Sequence, residues 1–172
     1  ALLPEVARRW PQSGEAHYLW GKALVQAGQG PEALPHLREG ARLEPKRPDI
    51  RLTLLQALVV NRRGELAAAE PDARREVEAE ARAAAALVTP DDAAGQLILG
   101  YAYRALEQVE EAAAHFARAA EVNDVRLQAS LELAFCQQDL GQAAAARRTL
   151  EDLQEDFPDD PEMRVSHETI YQ

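Results

Sequence analysis

From Pro11 to Pro45 the sequence number rises by 34, and from Pro90 to Pro158 by 68, twice that interval. Pro45 to Pro90 is 45, one interval plus 11, so the prolines keep a register with a single slip. Positions that are not proline obey the same arithmetic. Trp20-Gly21 recurs as Leu99-Gly100, a step of 79 or two intervals plus the same 11, and one further interval leads to Leu133-Ala134. Downstream of each pair a small residue, at Ala33, Ala112 and Ala146, precedes a large one four positions on, at Leu37, Phe116 and Leu150. Four positions make about one helical turn, so each couple shares a helix face. A period of this length signals stacked supersecondary units, none of which buries its apolar face alone.

Composition says what those units are made of. Hydrophobic residues make up 47% of the 172 residues while aromatics are only 5%, and alanine fills the gap. Alanine is the best helix former, and the sparse β-branched residues form no series of strands. An all-α protein of closely packed helices is expected. Turn signals fall at Gly28 and Gly30, Gly64 and Gly141, and the junctions Glu44-Pro45, Thr89-Pro90 and Phe157-Pro158 stop one unit and launch the next.

These residues resemble the tetratricopeptide repeat, whose pattern runs W-x2-L-G-x2-Y, then A-x3-F, then P, over roughly 34 residues. In one unit the match reads Leu99-Gly100, Tyr103, Ala112, Phe116 and Ala119, with Asp124 where the proline is usual. In an earlier unit it reads Trp20-Gly21, Leu24, Ala33, Leu37 and Pro45, with Gly40 in the second small slot. The resemblance covers nearly the whole chain as one domain. It assigns a helix-B remnant to 1–13, full repeats to 14–47, 93–126 and 127–160, a lengthened repeat to 48–92, and the start of a capping or further helix to 161–172. The slip of 11 belongs to NRRGELAAAEPDARREVEAEARAAAALVTP, where either helix B is extended or the loop between the helices protrudes.

The implied architecture is a right-handed superhelical solenoid of antiparallel helix pairs, its concave wall made by the first (A) helix of each repeat. Carried over slot by slot, the resemblance puts Tyr18, Lys22 and Val25 of the first full repeat on that wall, and Leu52, Gln56 and Val59 of the second. The third supplies Leu97, Tyr101 and Arg104, and the fourth Leu131, Phe135 and Gln138. A groove with these anchors suits an extended or helical peptide that is partly apolar. Tyr101 and Phe135 are expected to be surface anchors whose truncation weakens binding and changes stability little. The subgroup that grips a terminal carboxylate through Lys and Asn is disfavoured, because Tyr18 and Lys22 are followed by no Asn in their helix.

Residues with chemical potential read as structural. Gly95 and Gly100 have the glycine spacing of a phosphate loop, but Tyr101 and Ala102 follow where Lys and Ser or Thr are required. His17, His36, His115 and His167 form no HExxH and no metal spacing on one helix face, and read as partly exposed helix side chains. Cys136 is a single cysteine in a small slot, which excludes an intramolecular disulfide and suits a small buried hydrophobe. The acidic run EDLQEDFPDDPE lacks the glycine of a calcium loop and reads as a solvated helix end, with Asp159 or Asp160 capping a final helix. No nucleophile, base and oxyanion set can be assembled, so no enzyme, no cofactor and no metal site are expected.

The formal charge of -10 is uneven. Residues 1–60 hold eight Lys/Arg against six Asp/Glu, and the rest eleven against twenty-three. An acidic far end repels a phosphate backbone, so nucleic acid is not an expected partner. No run approaches the roughly 20 apolar residues of a membrane span. Only Lys22 and Lys46 among 19 basic residues are lysine, which points to GC-rich coding and a bacterial source, cytoplasmic or periplasmic. Residue 1 is not Met and the first residues read as helix interior, so a longer parent protein is expected. Three functional readings follow: a non-catalytic scaffold that binds a protein or peptide, in envelope, secretion, pilus or cytochrome assembly; the substrate-recruiting arm of a larger enzyme; or a scaffold that self-associates as a homo-oligomer.

Overall fold

The computed structural model describes residues 9–157. The chain divides into two compact units, Ala1–Val88 and Thr89–Gln172. Among the described residues of the first lie α1 (Gly14–Gln26), α2 (Gly30–Leu43), α3 (Pro48–Asn61), the short α4 (Arg63–Ala67) and α5 (Pro71–Ala85). The second contains α6 (Ala93–Ala105), α7 (Val109–Ala119), α8 (Asn123–Asp139) and α9 (Ala143–Asp156). No strand occurs among the described residues. The expected helix-B remnant at 1–13 lies mostly, and the helix start at 161–172 with Asp159 and Asp160 wholly, outside them.

Helix starts are built locally. Ser13 Oγ accepts the Ala16 amide at 3.1 Å, and Asp92 Oδ1 accepts the Gly95 amide at 2.9 Å, which satisfies amides left without intrahelical partners. The start of α1 has a second acceptor, Glu44 Oε1, 2.8 Å from the Glu15 amide. Glu44 ends α2, so the close of one helix seals the opening of its partner. Helix α8 begins at Asn123, four positions before the repeat boundary expected at 127. The cause is the missing proline: Asp124 stands where proline would bar helical continuation, and the helix gains a turn.

The period itself comes from size matching between paired helices. A Cβ on Gly21 would stand 2.6 Å from Leu37 Cγ, and one on Gly100 would stand 2.5 Å from Phe116 Cε1. In the fourth repeat the same relation joins fully buried Ala134 to Leu150, with Leu153 beside them. The second repeat reverses it: Leu55 on α3 is fully buried in the slot of Gly21, while α5 buries only the smaller Ala73, Val77, Ala81 and Ala84. Each fully buried Leu or Phe contributes about 1.5–3 kcal/mol, and the close approach that allows it depends on the small partner.

The slip of 11 resolves into helical turns. The step from Gly21 to Gly28, from Gly100 to Glu107 and from Ala134 to Gly141 is seven, but the step from Leu55 to Ala69 is fourteen. Gly28, Ala69, Glu107 and Gly141 all adopt left-handed backbone, with φ of 74, 55, 62 and 72°. The next amide in each case closes on a carbonyl five positions back: Gln29 on Leu24, Glu70 on Glu65, Gln108 on Tyr103 and Gln142 on Gln137, at 2.8–2.9 Å. This is one helix-ending motif used four times. Seven of the extra residues therefore lengthen the A-helix stretch, five of them as α4. The other four follow Ala69, since Ala69 to Gly100 is a step of 31 where Gly28 to Leu55 is a step of 27. Neither an extended helix B nor a protruding loop accounts for the slip. Gly64, expected at a turn, lies inside α4, and buried Leu66 anchors that segment.

Polar couples also recur between paired helices, four positions ahead of the size-matched slot. His17 Nδ1 meets His36 Nδ1 at 3.3 Å, Arg51 Nη1 donates to both Glu80 oxygens at 2.9 and 3.0 Å, and His115 Nδ1 donates to Gln96 Oε1 at 2.7 Å. Gln96 is nearly fully buried and spends its amide on the Thr89 carbonyl at 3.0 Å. Burial pushes the Glu80 carboxyl up against the opposing pull of Arg51.

Candidate functional site

In the first unit, Tyr18 and Lys22 sit one turn apart on α1. Lys22 Nζ donates to the Tyr18 hydroxyl at 3.4 Å and lies 5.5 Å from the ring centroid, a geometry in which the ring face attracts the ammonium. Tyr18 itself is 7% exposed, and Leu52 on α3 is 8% exposed. Both are buried and offer little area to a ligand, contrary to the expectation that they line a groove. Lys22 and Gln56 are exposed and Val59 half-buried. A cavity of about 170 Å³ lies nearby, lined by Val25, Gly28, Gly30, Gln56, Ala57, Val60 and Asn61. Val60, 69% exposed, is not marked by slot arithmetic, because it occupies the slot of Gln26, one position past the last groove slot at Val59.

In the second unit the expected residues gather more closely. Tyr101 on α6 donates its hydroxyl to Glu132 Oε1 on α8 at 3.2 Å and accepts from Gln128 Nε2 at 2.9 Å. Arg104 ion-pairs with the other Glu132 oxygen, and its guanidinium lies 5.7 Å from the Phe135 centroid. Tyr101 also packs edge-on against Phe116, centroids 5.2 Å apart and planes at 76°. Burial and the neighbouring Glu132 carboxylate push the Tyr101 hydroxyl above the usual phenol range.

The structure thus joins Tyr101, Arg104 and Phe135 through Gln128 and Glu132, two residues the repeat pattern does not single out. The spacing carries no signal of them: Glu132 follows Arg104 by 28, six short of the 34-residue period. Leu97 and Leu131 are half-buried, Leu131 packing on the Ala134–Leu150–Leu153 cluster, and Gln138 is exposed. Because Tyr101 rests on fully buried Phe116, it is part of the core as well as of the surface, contrary to the expectation that its truncation would change stability little.

Gly95, Gly100 and Cys136 are buried and His115 is half-buried, and His167 lies outside the described residues. Gly95 and Gly100 both lie in α6, Gly100 against Phe116. His115 stacks flat on Tyr103 at 5.2 Å, and burial, then Arg118, lowers its basicity. Cys136 is fully buried, and burial pushes its thiol up, the opposite of activation. No described helix is long and apolar enough to cross a membrane.

Sequence profiles described as tetratricopeptide repeat match residues 18–80 and 103–165. No curated protein is significantly similar in sequence. Among solved structures the chain is similar to YrrB, a TPR protein described as having an unusual peptide-binding site, with a TM-score of 0.76 at 15% identity, covering 99% of this chain and 82% of YrrB. It is also similar to MamA from Desulfovibrio magneticus RS-1, with a TM-score of 0.72 at 19% identity over 89% of this chain and 80% of that one. A third, the thermophilic TPR protein TTC0263 of Thermus thermophilus, gives 0.68 at 20% identity over 99% and 87%. Size-matched helix pairs, a shared helix-ending motif and profile matches across most of the sequence agree, and the chain belongs to the tetratricopeptide repeat family.

Proposed function

We propose that this protein is a non-catalytic scaffold whose A helices bind a partner segment carrying apolar anchors and basic flanks. The family and fold support a protein-interaction scaffold in general. The observation that carries the finer reading is the α6–α8 face, where half-buried Leu97, Leu131 and Phe135 border a hydrogen-bonded array of Tyr101, Arg104, Gln128 and Glu132. Side chains already locked by mutual bonds lose little freedom on binding, so contacts there convert to affinity efficiently. Residues 89–172 carry six Lys/Arg against seventeen Asp/Glu, which favours cationic flanks in the ligand and fast, salt-sensitive association. YrrB, of similar fold, is described as having a peptide-binding site. On the α1–α3 side, Lys22, Gln56 and Val59 offer the accessible surface, and Tyr18 and Leu52 are buried.

Selection from a displayed random-peptide library tests the reading. Enriched peptides should pair apolar residues with Lys or Arg, and Phe135→Ala should weaken them by at least about 1 kcal/mol, roughly fivefold. Enrichment of acidic peptides, or peptides indifferent to both Phe135→Ala and Leu97→Ala, would refute it.

A further inference from the structure

His17 on α1 and His36 on α2 face each other with their Nδ1 atoms 3.3 Å apart. The other nitrogen of His17, Nε2, lies 3.2 Å from the Pro11 carbonyl oxygen. A carbonyl only accepts, so the proton of neutral His17 sits on Nε2 and its Nδ1 presents a lone pair. That arrangement, one nitrogen free and the other donating to a carbonyl, is how metal-ligating histidines are oriented. The second ring is fixed too: Trp20 stacks on His36 with centroids 4.1 Å apart and planes 18° from parallel.

The separation of the two nitrogens has a specific meaning. Two nitrogens bound to one tetrahedral zinc at ~2.0–2.1 Å stand about 3.3–3.4 Å apart. The corresponding couple of the third repeat, Gln96 and His115, joins a fixed acceptor to a donor at 2.7 Å and needs nothing else. In the first repeat both members are imidazoles, so without a cation His36 Nδ1–H donates to His17 Nδ1, and a cation binds by displacing that one proton; both residues are half-buried. We propose that His17 and His36 form a two-histidine site for a late first-row divalent cation, Zn²⁺ or Cu²⁺, bound through both Nδ1 atoms and completed by water. Imidazole suits these ions and not Mg²⁺ or Ca²⁺. Burial, then the neighbouring His17, lowers the basicity of His36, which keeps it neutral and available as a ligand. Among the described residues no three His, Cys, Asp or Glu come together to hold a metal, so the site has two protein ligands and exchanges its ion readily. A bound ion ties α1 to α2 and adds a link that holds the first unit's opening helix pair.

Zn²⁺, Cu²⁺ and, as control, Mg²⁺ are titrated into the protein by equilibrium dialysis with elemental analysis. Cu²⁺ binding is followed in parallel by quenching of Trp20 in a Trp10→Phe background, since Trp10 is 52% exposed. The expectation is one equivalent of Zn²⁺ or Cu²⁺, no Mg²⁺, and a rise in melting temperature with Zn²⁺. Losing a ligand should cost no less than losing a ligand's orienting partner, so His17→Ala should weaken binding at least about tenfold. His36→Phe keeps a flat ring on Trp20 while removing the ligand, so circular dichroism should be unchanged while binding is lost. His115→Gln should bind as the unaltered protein does. Equal uptake by His17→Ala and the unaltered protein, a comparable loss in His115→Gln, or no uptake of either ion would overturn the proposal.

Discussion

Replacing Gly100 by Ala tests the size matching that sets the period. The added Cβ would stand 2.5, 2.6 and 2.9 Å from three carbons of the Phe116 ring, well inside ordinary contact. Phe116 has nowhere to retreat, because it is fully buried and Tyr101 abuts it. Overpacking a core by one methyl costs about 1–3 kcal/mol, and a pinned aromatic ring places this site in the upper part of that range. Ala gains about 0.8–1.0 kcal/mol over Gly in a helix interior, which leaves a net loss of about 1–2 kcal/mol. For a protein of this length that lowers the melting temperature by roughly 2–8 °C. The decisive measurement is a double-mutant cycle by urea denaturation. Gly100→Ala with Phe116→Leu recreates the Ala134–Leu150 couple of the fourth repeat, so the pair should be more stable than the two single losses predict, by about 1 kcal/mol or more. If Gly100→Ala instead stabilises the protein by the helix-propensity gain, or the two changes simply add, the small residue is not there to admit the large one.

Two further expectations concern the helix ends and the acid limb. Glu107 holds a left-handed conformation, φ 62°, which costs a side chain about 1–2 kcal/mol, so Glu107→Gly should raise stability by about 0.5–1 kcal/mol after glycine's own entropic cost, while Gly141→Ala should lower it; thermal melts of both variants check this. Arg47 grips Asp49 with two bonds, 2.8 and 2.5 Å, and holds its carboxyl below the usual range. A depressed folded-state value contributes stability that is present above the unfolded carboxyl value of about 4 and is lost as pH falls through the folded value. Asp49→Asn should therefore flatten that part of the stability profile below pH ~4, with little change in its shape near neutrality.

The helix pairs are legible in the sequence because their cause is steric. A small residue opposite a large one at a fixed interval is written directly in Gly21 and Leu37 or Gly100 and Phe116. The placement of the slip is not. Gly64 has the chemistry of a turn and lies in a helix, whereas Ala69, which makes the turn, has no side-chain signature of left-handed backbone. Slot arithmetic does not give the depth of each side chain, so Tyr18 and Leu52, expected on the wall, are buried. Contacts between helices are out of reach for a different reason. The bonds of Gln128 and Glu132 to Tyr101 and Arg104, like the approach of His17 to His36, join residues on separate helices, and only the packing angle of those helices decides whether they meet.

The seven extra residues between Leu55 and Ala69, five of which form α4, amount to about two helical turns, so they return the chain to nearly the same angular position. An addition of that size keeps the apolar stripe of the helical stretch in phase, and Leu66 stays buried. A gain or loss of two residues at the same place would instead swing Leu66 about half a revolution, out of the interior and into water. At the end of α3 the helical phase therefore accommodates an insertion near seven residues better than one of two, provided the added turns bring an apolar residue such as Leu66 back to the interior.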